Sequence, residues 1–204
     1  MSSTNCSTKE SVDFYFAYLS PYSFLANNSI ENILGQLGVS INYLPVAHMG
    51  PEDGPNFSPA RYRYICEEDL PRYAKELNVT FTSYPPLTES YTASSAFLYA
   101  QEKGLGKNLN AGIFAARWSF GLDISSEKVL GDIAVDVGLD KKAMLTAIRI
   151  PKYRQQLSKI HEKKNVAGVF GAPTFIYKGQ RFWGNDRVDF LVKAIKSQKE
   201  ISHV

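Results

Sequence analysis

The chain is organised around residues 12–37: Val12-Asp-Phe-Tyr-Phe-Ala-Tyr-Leu19, then Ser20-Pro-Tyr-Ser23, then a run from Phe24 to Leu37. The first eight residues are rich in aromatic and β-branched types and predict a buried strand. Ser20 suits the cap of a helix, and Pro21 its first position, where a missing N–H is harmless. Downstream, Ile30, Ile33, Leu34 and Leu37 recur at i, i+3, i+4 and i+7, the apolar stripe of an amphipathic helix. Gly38 is placed to end it. A strand thus delivers a hydroxyl to the first turn of a helix.

That position has chemical consequences. Unpaired N–H groups and the helix dipole favour an anion there, by roughly 0.3–1 kcal/mol at exposed sites and more where buried. Redox proteins use the same place to lower the pKa of a Cys-x-x-Cys thiol. Here both thiol positions, Ser20 and Ser23, carry hydroxyls. A serine hydroxyl stays protonated at ordinary pH, but it can donate a hydrogen bond to an anion. These residues leave two alternatives open. Either a thiolate or another anion arrives with a ligand, or the segment is simply a capped helix of an α/β protein.

Composition narrows the field. With 204 residues, 44% of them hydrophobic and 21% charged, the chain can bury a substantial core as one or two domains of a soluble globular protein. A net charge of +3 without a Lys/Arg block argues against nucleic acid and against a membrane-binding patch. Cys6 and Cys66 form neither a Cys-x-x-Cys pair nor zinc-ligand spacing, so no metal site, dithiol enzyme or disulfide scaffold is indicated. The polar start, Met1 to Glu10, lacks the apolar core of a secretory signal, and no stretch reaches the ~18 apolar residues of a membrane span. A cytoplasmic, reducing setting is expected.

Beyond the first helix, Ile41-Asn-Tyr-Leu-Pro-Val46 predicts a second strand, and strand–helix–strand implies a parallel βαβ unit. Pro45 places that strand's end there or along an edge. Residues 47–58 form a Gly- and Pro-rich loop carrying His48, a lone histidine that more often serves packing than ligand binding. Arg61 to Glu76 is a helical stretch that Pro71 should kink or restart. Residues 78–87 predict an extended connector.

About 75 residues of helix follow. Ser90 or Thr92 opens one helix, residues 107–120 form the next, and Ser125 is expected to cap a third. Asp140 caps a fourth, and Pro151 starts a fifth. Strand signals return at Val169–Tyr177 and Arg181–Trp183, joined by a turn at Lys178-Gly-Gln180 into a hairpin. Asn185 or Asp186 should cap a last helix from Arg187 to about Lys196. The predicted order is βαβ, a helical insertion, then ββα.

This order is the thioredoxin-like arrangement, and three stretches sharpen the likeness. Phe14-Tyr-Phe-Ala-Tyr-Leu-Ser-Pro-Tyr-Ser-Phe-Leu-Ala26, Gly171-Ala-Pro-Thr-Phe175 and Phe182-Trp-Gly-Asn-Asp-Arg187 resemble the kappa-class glutathione transferase and 2-hydroxychromene-2-carboxylate isomerase family. Disulfide-forming oxidoreductases of the same fold are also similar, but keep Cys-x-x-Cys where this chain has Ser-Pro-Tyr-Ser. The resemblance implies an α/β, thioredoxin-like domain at 11–50 and 166–200 and an all-helical insertion at 51–165, while the polar residues 1–10 read as a flexible tail.

It also implies glutathione as cofactor. Ser20 would donate its hydroxyl to the glutathione sulfur. Pro173 would be a cis-proline facing the Ser20 turn, leaving the Ala172 backbone to pair with the cysteinyl group. Asn185 and Asp186 would hold the γ-glutamyl end, consistent with a carboxylate for its ammonium and helix-start N–H groups for its α-carboxylate. Family members commonly carry a lysine early in the first inserted helix, ahead of an Asp-Leu pair. Here Asp69-Leu70 is present, but Arg61 or Arg63 stands near the lysine position, with a planar fork in place of a point charge. Tyr22 and Trp183 could line the substrate pocket or pack in the core.

The implied partner is a small, acidic aromatic molecule, and the family is usually homodimeric. The expected activity is isomerisation of a ring-opened aromatic compound, with conjugation by a transferase as the alternative. A non-catalytic thioredoxin-like binding module is the alternative of a different class.

Overall fold

A computed structural model describes residues 10–48, 58–83 and 85–202. Cys6, nearly all of the predicted tail and most of the 47–58 loop lie outside the described residues. A four-stranded sheet has the order β2-β1-β3-β4. Strand β1 (Ser11–Phe16) pairs parallel with β2 (Ser40–Pro45) and antiparallel with β3 (Thr174–Tyr177), which pairs antiparallel with β4 (Gln180–Trp183). Helix α1 (Pro21–Gln36) joins β1 to β2.

Between β2 and β3 the chain is helical: α2 (Pro59–Tyr64), a π-turn at Ile65–Asp69, α3 (Leu70–Leu77), α4 (Tyr91–Glu102), α5 (Gly106–Trp118), α6 (Glu127–Asp136), α7 (Lys141–Ala147) and α8 (Pro151–Val166). A 3-10 turn at Asn185–Arg187 leads into α9 (Val188–Ser202). Among the described residues no helix is long and apolar enough to cross a membrane.

Both faces of β1 are buried from Phe14 to Phe16, as its aromatic run requires. Val12, Phe14 and Phe16 face the main core with α1, α4, α5 and α9, and Phe14 stacks on Phe175 at 4.8 Å between centroids. Tyr15 faces the other way, with Leu44 and Val169, under Ile160 of α8. Phe16 meets Phe97 edge-on at 5.4 Å, and Tyr18 tilts against Phe114 at 4.8 Å. The helical insertion therefore shares one core with the sheet.

Several elements differ from expectation. Strand β1 stops at Phe16, opposite Pro45; the Val46 N–H makes a last bond to the Phe16 carbonyl at 2.7 Å, and Ala17–Leu19 turn toward α1. The hairpin's first strand begins at Thr174, not Val169, because the Thr174 hydroxyl donates to the Gly171 carbonyl at 2.7 Å and closes a turn. The hairpin turn is the two residues Lys178 and Gly179, both at positive φ, which matches strand twist.

Ser126, not Ser125, caps α6: the N–H and hydroxyl of Ser125 both donate to the Asp123 carboxylate, at 2.9 and 2.8 Å. Neither Asn185 nor Asp186 provides a side-chain cap, and Asp186 instead pairs with Arg187 at 2.6 Å. Pro71 does not break its helix. It follows the π-turn, at the start of α3.

Candidate functional site

The site forms where α1 begins. The side-chain oxygen of Ser20 accepts the Ser23 N–H at 3.2 Å, an ordinary N-cap, and Pro21 occupies the first turn. The Ser20 hydroxyl proton is spent elsewhere. It is donated to the carbonyl of Ala172, 152 residues away, at 3.0 Å. Ser23 has a different fate. It is fully buried, and its oxygen accepts the Ala17 N–H at 3.2 Å. Of the two hydroxyls at thiol positions, one faces a cleft and the other holds backbone.

The facing turn is fixed on both sides of Ala172. Thr174 binds the Gly171 carbonyl, and the Pro173 carbonyl accepts the Gly184 N–H at 2.9 Å. The Ala172–Pro173 peptide is cis. Of the three carbonyls in this turn, that of Ala172 alone relies on the Ser20 side chain, a partner that can rotate away to serve a ligand.

Both turns open on a cleft of about 580 Å³, within the usual range for small-molecule sites. At one end stand Gly184, Asn185 and Asp186. Gly184 has a φ of 112°, and a Cβ there would run into the Asp186 carboxylate, so the turn requires glycine. At another edge Phe170 meets Trp183 at 4.9 Å, and both rings are largely exposed. Trp183 packs on Gly171, where a Cβ would come within 2.6 Å of the indole nitrogen.

The helical insertion supplies the remaining wall. Asp69 accepts the Tyr22 hydroxyl at 2.6 Å, and Tyr73 lies four residues further along. Burial, and then the bond to Asp69, push the Tyr22 phenol well above its ordinary pKa, so it remains a donor. Burial followed by the charges of Asp69 and Asp186 raises Tyr73 too. Arg61, Lys164 and Arg187 bring positive charge to the cleft.

The fold brings together Ser20, Tyr22, Arg61, Ala172, Pro173, Trp183, Asn185 and Asp186 on one cleft. Arg63 is not on it. Two residues along a helix from Arg61 point to a different side, and Arg63 is exposed there. His48 lies on the cleft wall as well. Sequence reasoning missed Lys164, Phe170 and Tyr73 as cleft residues. Phe170 had a signal, since it directly precedes the Gly171-Ala-Pro-Thr motif. Lys164, at the end of a long charged helix, had none.

The arrangement can place a hydrogen-bond donor and a helix N-terminus beside an anionic atom, offer one backbone acceptor next to it, and hold a charged, flat molecule between cations and aromatic edges.

Comparison with known proteins places the chain. Residues 11–196 match the family model described as a DSBA-like thioredoxin domain. A 2-hydroxychromene-2-carboxylate isomerase of Sphingobium xenophagum is 30% identical over 190 residues, covering 89% of this chain and 96% of that protein. One from Pseudomonas sp. (strain C18) is 27% identical, covering 90% and 89%. A solved 2-hydroxychromene-2-carboxylate isomerase structure superposes with a TM-score of 0.82 at 22% identity, over 95% of this chain and 98% of that one, a likeness of fold. The chain belongs to the DsbA-like thioredoxin-domain family, in the group that includes the 2-hydroxychromene-2-carboxylate isomerases.

Proposed function

We propose that this enzyme is a glutathione-dependent isomerase of the 2-hydroxychromene-2-carboxylate type. The observation that carries the proposal is the Ser20 hydroxyl, set at the start of α1 against the Ala172 carbonyl in a cleft where, among the described residues, no thiol lines the wall. The relatives' names support the reaction class.

The residues fit glutathione. Ser20 can turn its proton from Ala172 to a thiolate, which gains a charge-assisted bond in exchange for a neutral one. The Ala172 carbonyl, so released, accepts an amide N–H. Asp186 suits an ammonium, with Arg187 beside it to balance charge. When bound, glutathione supplies a nucleophilic sulfur for reversible addition to an activated double bond, which frees that bond to rotate. Ser20 and the dipole of α1 hold negative charge at that sulfur position and so make attack and departure comparably easy. Arg61 receives the substrate carboxylate, and the Phe170–Trp183 edge receives its ring.

The exposed Phe170–Trp183 edge also favours a second use, conjugation of apolar electrophiles. One experiment separates these. The enzyme and glutathione are incubated with a ring-opened hydroxychromene carboxylate or with an aryl halide. Isomer formation with glutathione undiminished is the expected result. Stoichiometric loss of glutathione makes it a transferase, and no glutathione binding by calorimetry makes it a binding module.

A further inference from the structure

The helix carrying Arg61, Asp69 and Tyr73 is interrupted in a way that bears on the cleft. In an uninterrupted α-helix, residues eight apart are displaced by about 80° around the axis, so Arg61 and Asp69 would stand at opposite margins of one face and not in line. Here Ile65–Asp69 is a π-turn, in which the Leu70 N–H reaches back five residues to the Ile65 carbonyl. Its wider winding takes up most of the difference. Pro71, at the start of α3, is compatible with a break there. Proline has no N–H to give the carbonyl four residues back, and its ring crowds that carbonyl. The outcome is that Arg61, Asp69 and Tyr73 all reach the same cleft.

Asp69 then touches the catalytic turn indirectly. It accepts the hydroxyl of Tyr22, which lies two residues after Ser20 in the first turn of α1. Tyr73 and Asn185 both line the cleft. A single helical segment therefore bonds to the turn bearing the proton donor and lines one cleft with the turn bearing Asp186. We propose that Asp69, aligned by the π-turn and acting through Tyr22, is a positioning residue that holds the Ser20 turn in register for thiolate binding. It rests on the glutathione reading above and adds to it a residue that acts on the thiol through Tyr22.

The test is the ionisation of bound thiol, read from thiolate ultraviolet absorbance as a function of pH, in wild type, Tyr22→Phe, Asp69→Leu and the double variant, with thermal midpoints measured alongside. Tyr22→Phe removes one hydroxyl and preserves packing, so it decides the matter if Asp69→Leu fails to fold. In the expected result each single change leaves roughly tenfold less thiolate at a pH below the midpoint, and the double change is no worse than either. A merely structural bond would lower the thermal midpoint and leave ionisation alone, which would overturn the proposal. So would a role of charge only, in which Asp69→Leu increases thiolate and Tyr22→Phe does nothing. Wild type that fails to bind or ionise glutathione defeats the cofactor reading and this role with it. Wild type that ionises it, with Tyr22→Phe indistinguishable, defeats this role alone.

Discussion

The Ser20 hydroxyl and the Ala172 carbonyl face each other at 3.0 Å across the mouth of the cleft, each the other's partner. Serine at this position caps α1 through its oxygen and keeps its proton for the opposite turn. Ser20→Ala therefore removes two things. Loss of the cap lowers stability by about 1 kcal/mol. Loss of a bond to a charged sulfur, worth roughly 1.5–3 kcal/mol, lowers kcat/KM by about 10- to 150-fold. Denaturant titration and steady-state kinetics on the same variant measure both, and a variant with unchanged turnover would remove Ser20 from the chemistry.

Ser23→Ala should show the opposite balance. The Ala17 N–H loses its acceptor in a fully buried setting, which costs about 1–3 kcal/mol of stability. Activity per folded molecule stays within a few-fold, because Ser23 faces away from the cleft. The pair of variants thus separates a hydroxyl that serves a ligand from one that serves the backbone. If Ser23→Ala were kinetically worse than Ser20→Ala, their assignments would have to be exchanged.

The two candidate arginines are separable in the same manner. Arg61 lines the cleft and Arg63 does not. Arg61→Ala is expected to raise KM for a carboxylate substrate about fivefold, the effect of losing ~1 kcal/mol from a partly exposed ion pair. Arg63→Ala should leave KM where it is. Added salt should shrink the wild-type advantage, since the pairing is screened.

Local rules made much of this legible. Ser20 and Asp140 were readable as caps because the deciding contact lies three residues away, and Pro21 reinforced the first. The Ser20, Pro173 and Asn185–Asp186 motifs could be assigned to one site because the resemblance joined segments that are distant in sequence. Ser125 and Ser126 could not be separated, since the choice turned on Asp123 capturing one of them. Arg61 and Arg63 were inseparable for a related reason. The register of their helix depends on a π-turn, which Pro71 permits but tertiary packing selects. Lys164 reaches the cleft only because α8 crosses the sheet, a placement no local pattern encodes.

Gly171 marks a close approach that a single methyl would disturb. A Cβ there would stand 2.6 Å from the Trp183 indole nitrogen, so Gly171→Ala must displace the ring or the turn. The cost is about 1–3 kcal/mol of overpacking, less whatever the exposed ring recovers by swinging outward. Tryptophan emission should change, and KM for an aromatic substrate should rise more than the dissociation constant of glutathione. Equal weakening of both would mean that the turn had moved and the ring had not.

Glu102 gives the helical insertion a pH dependence whose direction is fixed by its partners. Its carboxylate receives Lys152 at 2.6 Å, Gln156 at 3.1 Å and Tyr153 at 3.1 Å, tying α4 to α8. The Lys152 bond, chiefly, holds its pKa below the ordinary 4.5 against a smaller opposing effect of burial. A carboxyl depressed on folding contributes stability that is fully present above its unfolded pKa and lost as pH falls through its folded one. Wild type should therefore be more stable than Glu102→Gln at neutral pH. That margin should hold down to mildly acidic pH, then close progressively below 4.5 as the carboxylate is protonated. Denaturant midpoints of the two proteins across that interval provide the measurement. A margin that survived unchanged well below 4.5 would show that the contribution of Glu102 is packing, and that its charge has no part in it.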